Sequence, residues 1–346
     1  MENRIKEYNE WLFHQDLSKL GPSLFTGKTG LCLYWYQQSR VFGNREYETL
    51  ADSLIEEIIQ QIDRSTSIEF GNGLVGIALS ILYLEKQHYI EGNPLEMMKD
   101  ITDKIYQALY FGIMSRSDLT TVDLISLVYA LLYFCKCLYF EGMPKSERNV
   151  IVGIIIKGIN LLEQSTRNAS INETAFFSPS EYFVPLFLRL IKQVYELDVF
   201  SYKLDMICKE WKNRILTTIP RSDGNRFILM TELEHLSPLC RPSECQAFQS
   251  HAKLLKGQTD LSRFIKVEMR SRNIFLHAGL SGLLLYSVFA GSPIKENCYV
   301  HIANRILQSP LWDDWKMRPN EFPFFLSNSL TGVIYSYQQF FSYLKQ

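Results

Sequence analysis

Apolar residues along this chain fall into two alternating patterns, and together they predict an all-helical protein. In one pattern they recur at intervals of three and four with charges between. Examples are REYETLADSLIEEIIQQID, LEMMKDITDKIYQALYFGI, SERNVIVGIIIKGINLLEQ, LDMICKEWKNRILTTI and NCYVHIANRILQ. Such spacing buries one face of a helix and leaves the other in water. NRIKEYNEWLFHQ opens the series as a further helix of this kind. In the other pattern the run is apolar nearly all round, as in LISLVYALLYFC at 124–135. That predicts a helix covered on all sides. Strand-like alternation is rare, and RFILMTEL is one short candidate strand.

The apolar runs begin alike. FTGKTGLCLYW (Gly27, Gly30), GNGLVGIALSILYL (Gly73, Gly76), TVDLISLVYALLYF (Asp123, Ser126), LHAGLSGLLLYSVF (Gly279, Gly282) and LSNSLTGVIYSYQQF (Ser329, Gly332) share a short start, small or acidic, before an apolar helix. Neighbouring starts lie 46, 50 and 50 residues apart, and the remaining interval of 156 is three times 52. Two more units are therefore expected between 123 and 279. They are assigned to PSEYFVPLFLRL from Pro179 and PSECQAFQSHAKLL from Pro242, the latter in a degenerate fifth repeat at about 218–270. Pro followed by Ser-Glu suits a first helical turn. A period near 50 predicts stacked helix pairs, here seven hairpins in a single domain over 1–346. Inner helices covered all round suit a closed α/α toroid better than an open solenoid. A glycine at an inner-helix start lets loop and neighbours approach closely and tolerates positive φ. Gly27, Gly30, Gly73, Gly76, Gly279, Gly282 and Gly332 are thus expected at the mouth of a central cavity.

Charge and composition narrow the function classes. Lys+Arg is 36 against 37 Asp+Glu, a formal net charge of −1. That balance argues against nucleic acid and against a polybasic membrane-surface binder. With 47% hydrophobic and 21% charged residues the chain can bury a large core. The apolar run at 124–135 falls short of the roughly 20 residues a membrane span needs, and VIVGIII near residue 150 is shorter still. Both are read as buried helices, and no membrane span is expected. No secretory signal is read in MENRIKEYNEW. Seven scattered cysteines do not form a disulfide framework, so free thiols in a reducing cytoplasm are expected. The sequon-like Asn168-Ala-Ser170 then has no consequence.

FGNGLVGIALSILYL and FLHAGLSGLLLYSV at this spacing, with FFLSNSLTGVIYSY near the end, resemble the lanthionine synthetase C-like family. The resemblance covers nearly the whole chain as a pattern and is close in three or four segments. It implies a seven-fold α/α toroid. It also implies lanthipeptide-type maturation, in which a peptide cysteine adds to a dehydroamino acid to form a thioether. In the family's cyclases, zinc held by two cysteines and one histidine activates the incoming thiol as thiolate. Zinc lowers a thiol's pKa and keeps one position open for it. Inner-helix N-termini would add positive potential there. The family's Cys-His-Gly-x-x-Gly matches His277-Ala278-Gly279-Leu280-Ser281-Gly282, so His277 stands at the Cys and Ala278 replaces the His. The family's other Cys matches Cys240 in Cys240-Arg241-Pro242. The resemblance thus implies Cys240 and His277 as zinc ligands. Cys245 and His235 lie nearby, but His235, Cys240, Cys245 and His251 are spaced too loosely for a recognised zinc motif. Two readings follow. One is a zinc cyclase; the other is a toroid without the zinc site that binds a peptide or a partner modifying enzyme.

Other chemistry is less well marked. Glu232, Glu234 and His235 form a short polar cluster, expected to be solvated. Asp123, Glu181, Glu244 and Glu321 occupy expected helix starts, which suit carboxylates in themselves. Paired across a cavity, such groups would make a carbohydrate-active α/α barrel. No Gly-x-x-Gly follows a strand, so none reads as a phosphate-binding loop.

Overall fold

The computed structural model describes residues 1–344 apart from 64–65, 117, 141, 168–172, 175–176, 270–272 and 293. Asn168-Ala-Ser170 lies outside the described residues. Among the described residues there is no strand, and fourteen helices of nine residues or more follow one another. They are α1 (Glu2–Phe13), α2 (Lys28–Phe42), α3 (Arg45–Gln61), α4 (Leu74–Lys86), α5 (Lys99–Gln107), α6 (Thr121–Cys137) and α7 (Lys145–Thr166). The series continues with α8 (Phe183–Glu196), α9 (Ser201–Leu216), α10 (Asp223–Leu236), α11 (Pro242–Gln258), α12 (Leu280–Phe289), α13 (Glu296–Leu307) and α14 (Leu330–Tyr343). No helix among the described residues is long and apolar enough to cross a membrane.

Odd and even helices differ as the two hydrophobic patterns require. α3 buries Ala51, Leu54, Ile55 and Ile58, a single stripe. α2 buries every residue from Lys28 to Gln38. Its end is set by Gly43, left-handed at φ 64, after which the Asn44 side chain accepts from the Glu46 amide and starts α3.

Four local expectations are corrected. RFILMTEL is no strand; it lies inside α10, where helix neighbours cover it on all sides. The fifth fully buried helix is therefore α10, and the stretch from Pro242 is the one-faced α11, burying Glu244, Phe248, His251, Ala252 and Leu255. Pro179 precedes α8 instead of opening it. VIVGIII lies on the one-faced α7, where Val150 is 56% exposed.

Contacts gather the chain into two compact units. The first is Met1–Ser67, Gly71–Gly92 and Ser262–Gln346; the second is Ile68–Phe70 and Asn93–Leu261. In the first, α12 packs on α14, α14 on α2 and α2 on α4. A buried polar seam joins its first and last helices. Tyr34 Oη donates to Asn9 Oδ1 at 2.5 Å, Asn9 Nδ2 to Gln38 Oε1 at 3.2 Å, and Gln38 Nε2 to Gln338 Oε1 at 2.6 Å. Groups buried this way must be paired, which fixes how α1, α2 and α14 align. In the second unit α6 packs on α8 and α8 on α10, with α7, α9 and α11 against them.

Candidate functional site

α2, α4, α12 and α14 of the first unit begin Gly-Lys-Thr-Gly, Gly-Leu-Val-Gly, Gly-Leu-Ser-Gly and Ser-Leu-Thr-Gly. Gly27, Gly73, Gly279 and Ser329 are the N-caps; Gly30, Gly76, Gly282 and Gly332 follow as third helical residues. A glycine cap has no side chain to accept the orphan amides of the first turn. The preceding loop does so instead. The first helical amide donates to a carbonyl seven residues earlier: Lys28 to Gly21 at 2.9 Å, Leu74 to Ser67 at 2.7 Å, and Leu280 to Asn273 at 3.3 Å. The next position repeats the reach with a hydroxyl. Thr29 donates to the Pro22 carbonyl at 2.5 Å, Ser281 to Ile274 at 2.5 Å and Thr331 to Phe324 at 2.8 Å.

Folding the loop over the helix start leaves no room for a Cβ. At Gly27 it would strike the Gly21 carbonyl oxygen, and at Gly332 that of Leu326. The glycine caps themselves are extended, with φ near −135 at Gly27 and Gly73, so positive φ is not what these positions require. All seven expected mouth glycines are buried. They shape the loops, and Thr26, Asn72 and Asn328, each just before an N-cap, are exposed.

The loops are also joined to one another. His277 N donates to the Ser327 carbonyl at 2.9 Å, Ser327 N to Phe25 at 3.1 Å, and Phe25 N to Gly71 at 2.8 Å. Each of these four residues stands two positions before its N-cap. One position on, Thr26, Asn72 and Asn328 are exposed, and Thr26 Oγ1 donates to Asn72 Oδ1 at 3.0 Å. The half-buried His277 ring lies 6.1 Å from that of Phe25. The row therefore offers a hydroxyl, two carboxamides and an imidazole on a hydrogen-bonded backbone, groups that suit a peptide main chain. Thr26, Asn72 and Asn328 went unnoticed in the sequence. Their constant offset from the aligned caps is the signal that finds them.

A zinc triad does not fit these residues. Among the described residues no three His, Cys, Asp or Glu side chains gather as metal ligands. The residue beside His277 is Ala278, left-handed at φ 54, its carbonyl accepting from Asn273 Nδ2 at 2.7 Å. Cys240 follows the C-terminal end of α10 and a short turn; it does not precede a buried helix. The residue two before the α10 N-cap is Pro220. The register that matched Cys240 to a family cysteine is thus not the one the helices adopt. Its thiol lies 3.8 Å from Cys208 Sγ instead.

In the second unit the starts of α6 and α10 are held by side chains, whereas α8 has no side-chain cap at Tyr182. At α6, Thr120 accepts from the Asp123 amide while Asp123 accepts from the Thr120 amide, a reciprocal capping box. Asp123 and Ser126 were matched one turn late, because Thr120 is the cap. Burial pushes the Asp123 carboxyl up, but the Thr120 hydrogen bonds and Arg116 outweigh it and hold it below its ordinary value. At α10, Glu173 accepts from the Arg221 and Ser222 amides at 2.7 and 3.0 Å and from Asn225 Nδ2 at 2.8 Å. Asp223, fully buried, pairs with Arg226 and accepts from the Asp260 amide at 3.0 Å. Glu232 is not solvated; it is 2% exposed and ion-paired with Arg189 of α8. Glu244 is held by Ser243 and Lys212, and Glu321 is exposed. Of the four helix-start carboxylates, Asp123 and Glu244 are thus committed to a cap and to Ser243 and Lys212.

Comparison with known proteins bears on both the sequence and the fold. Residues 18–109 match the family model of lanthionine synthetase C-like protein. No curated protein matches the sequence. Among solved structures, nisin cyclase is similar over 98% of this chain and 93% of that one, with a TM-score of 0.56 at 13% identity. That likeness carries the fold, an all-α protein of the α/α-toroid class. Residues 18–109 are thus similar in sequence to the lanthionine synthetase C-like family, and the chain is similar in fold to nisin cyclase along nearly all its length.

Proposed function

We propose that this protein serves lanthipeptide-type maturation in the cytoplasm by binding a peptide, or the enzyme that carries it, without a zinc triad of its own. The observation that carries this reading is the pair His277-Ala278 at the family's Cys-His position, with Cys240 in a different register and facing Cys208. A metal held by two thiolates and an imidazole would lower the peptide thiol's pKa. Without that donor set the thiol keeps an ordinary value near 8.5, and only a few per cent is thiolate at neutral pH. The joined loops remain suited to hold a peptide main chain through Thr26, Asn72, His277 and Asn328. The fold likeness to nisin cyclase and the family match at 18–109 support a peptide as the partner class.

The test combines metal analysis, binding and ring formation on the full chain. Peptides encoded beside its gene, with their serines and threonines dehydrated, are titrated and then checked for loss of free thiol. Binding that weakens at least tenfold in Asn72→Ala combined with Asn328→Ala, with no stoichiometric zinc and no thiol loss, is the expected result. Stoichiometric zinc that disappears in His277→Ala, together with ring formation, would overturn it in favour of an active cyclase.

A further inference from the structure

The displaced Cys240 has a neighbour that the functional reading leaves unexplained. Cys208 lies on the buried face of α9 and is 4% exposed, while Cys240 is half-buried in the turn between α10 and α11. Their sulfurs are 3.8 Å apart across a sequence separation of 32. The Tyr195 hydroxyl reaches Asp205 at 2.9 Å and also lies 3.8 Å from Cys208 Sγ. Arg241 Nε donates to the same Asp205 at 2.7 Å. The two sulfurs are therefore held in contact inside a polar cluster. Cys32, Cys135, Cys137 and Cys298 are all buried.

We infer that Cys208 and Cys240 are a dithiol site that closes reversibly to a disulfide, tying α9 to the turn that enters α11. The oxidant class is a low-molecular-weight disulfide such as oxidised glutathione. Cys240, the accessible partner, attacks one sulfur of that disulfide as thiolate. One S–S bond breaks, a mixed disulfide forms, and a glutathione thiolate leaves. Cys208, also as thiolate, then attacks the Cys240 sulfur, forming the internal bond and expelling the second glutathione thiolate. The two thiol protons end on the two glutathiones released, and excess thiol reverses both steps. Closing from contact to a bond of about 2.05 Å needs a shift of under about 2 Å, and Cys240 sits in a short turn able to supply it. The Cys208 hydrogen bond, followed by burial, pushes the Cys240 thiol well above its ordinary range. The Cys240 thiol is thus protonated at rest, and its attack accelerates with rising pH.

The experiment equilibrates the full chain with oxidised glutathione at pH 7 and pH 9, followed by intact-mass measurement and non-reducing peptide mapping. Expected are a product lighter by two hydrogens, a linked Cys208–Cys240 peptide, faster closure at pH 9, and a raised thermal midpoint that excess reduced glutathione restores. In Cys208→Ser the reaction stops at a glutathione adduct on Cys240, whereas Cys240→Ser leaves position 208 unmodified. A linkage mapped to Cys240 and Cys245 overturns the assignment. So does a wild-type product that stays a mixed disulfide or remains fully reduced. Because the wild-type map decides by itself, the outcome does not depend on either variant folding, nor on the peptide-binding reading.

Discussion

Buried helices of the two units start in different ways: α2 and α4 of the first through loop carbonyls, α6 and α10 of the second through side chains. In the first, the start is made by what is absent: no Cβ at Gly27 or Gly332, so the loop's own carbonyls close over the helix and satisfy its amides. In the second, the start is made by side chains: Thr120 with Asp123 at α6, Glu173 and Asp223 at α10. Loop carbonyls at α2 and α4 and the capping box at α6 pair amides of the first turn, whereas Glu173 pairs the Arg221 and Ser222 amides just before α10. They differ in what they leave free. Backbone closure commits only the buried hydroxyls inside the loops, and Thr26, Asn72 and Asn328, each just before a cap, stay exposed. Side-chain closure commits Thr120 and Asp123 at α6 and the remote Glu173 at α10. This contrast supports the proposal of a peptide site on the first unit.

The comparison is sharpest where a side chain is removed from the second unit. Asp223→Ala leaves Arg226, 7% exposed, without its carboxylate and the Asp260 amide without an acceptor. A loss of about 3–5 kcal/mol is expected, measured by urea unfolding, with hydrogen exchange rising first in α10. In the first unit, adding a single methyl should do comparable damage. Gly332→Ala drives a Cβ into the Leu326 carbonyl, and a cost of about 3 kcal/mol is expected. Equal stability of this variant and the wild type would end the argument from absent side chains. Thr120→Ala removes one half of the capping box and should cost about 1 kcal/mol. The control has the opposite sign. Gly153, exposed within α7, has nothing within 4 Å of a built Cβ. Gly153→Ala should therefore stabilise by about 0.5–1 kcal/mol. A destabilised Gly153→Ala would show that glycine in this chain is not sorted by local space.

Legibility in the sequence followed the same division. The glycine starts could be aligned across 250 residues because each repeats one local constraint at one spacing. The fifth unit could not, because its start is polar and its partners are remote. Asp223 takes a hydrogen bond from Asp260, Glu232 pairs with Arg189 some 43 residues away, and Asn225 donates to Glu173 across 52. Read locally, DGNRFILMTELEHL carries too many polar residues for a buried helix, and PSECQAFQSHAKLL was set in its place. The misplaced unit also set Cys240 in a register that the helices do not adopt.

By itself, then, the sequence determined the helical class, the alternation of one-faced and fully buried helices, and the loop-closed starts at Gly27, Gly73, Gly279 and Ser329. These depend on periodicity and on the space around a backbone, which neighbouring residues encode. Only the tertiary structure decided where α10 begins, that Glu232 is buried and paired, that Phe25, Gly71, His277 and Ser327 join their loops, and that Cys240 meets Cys208. Each is a meeting of residues far apart in the chain. The cost of burying a charge, a free amide or a thiol is set by the partner that arrives, and no local pattern names that partner.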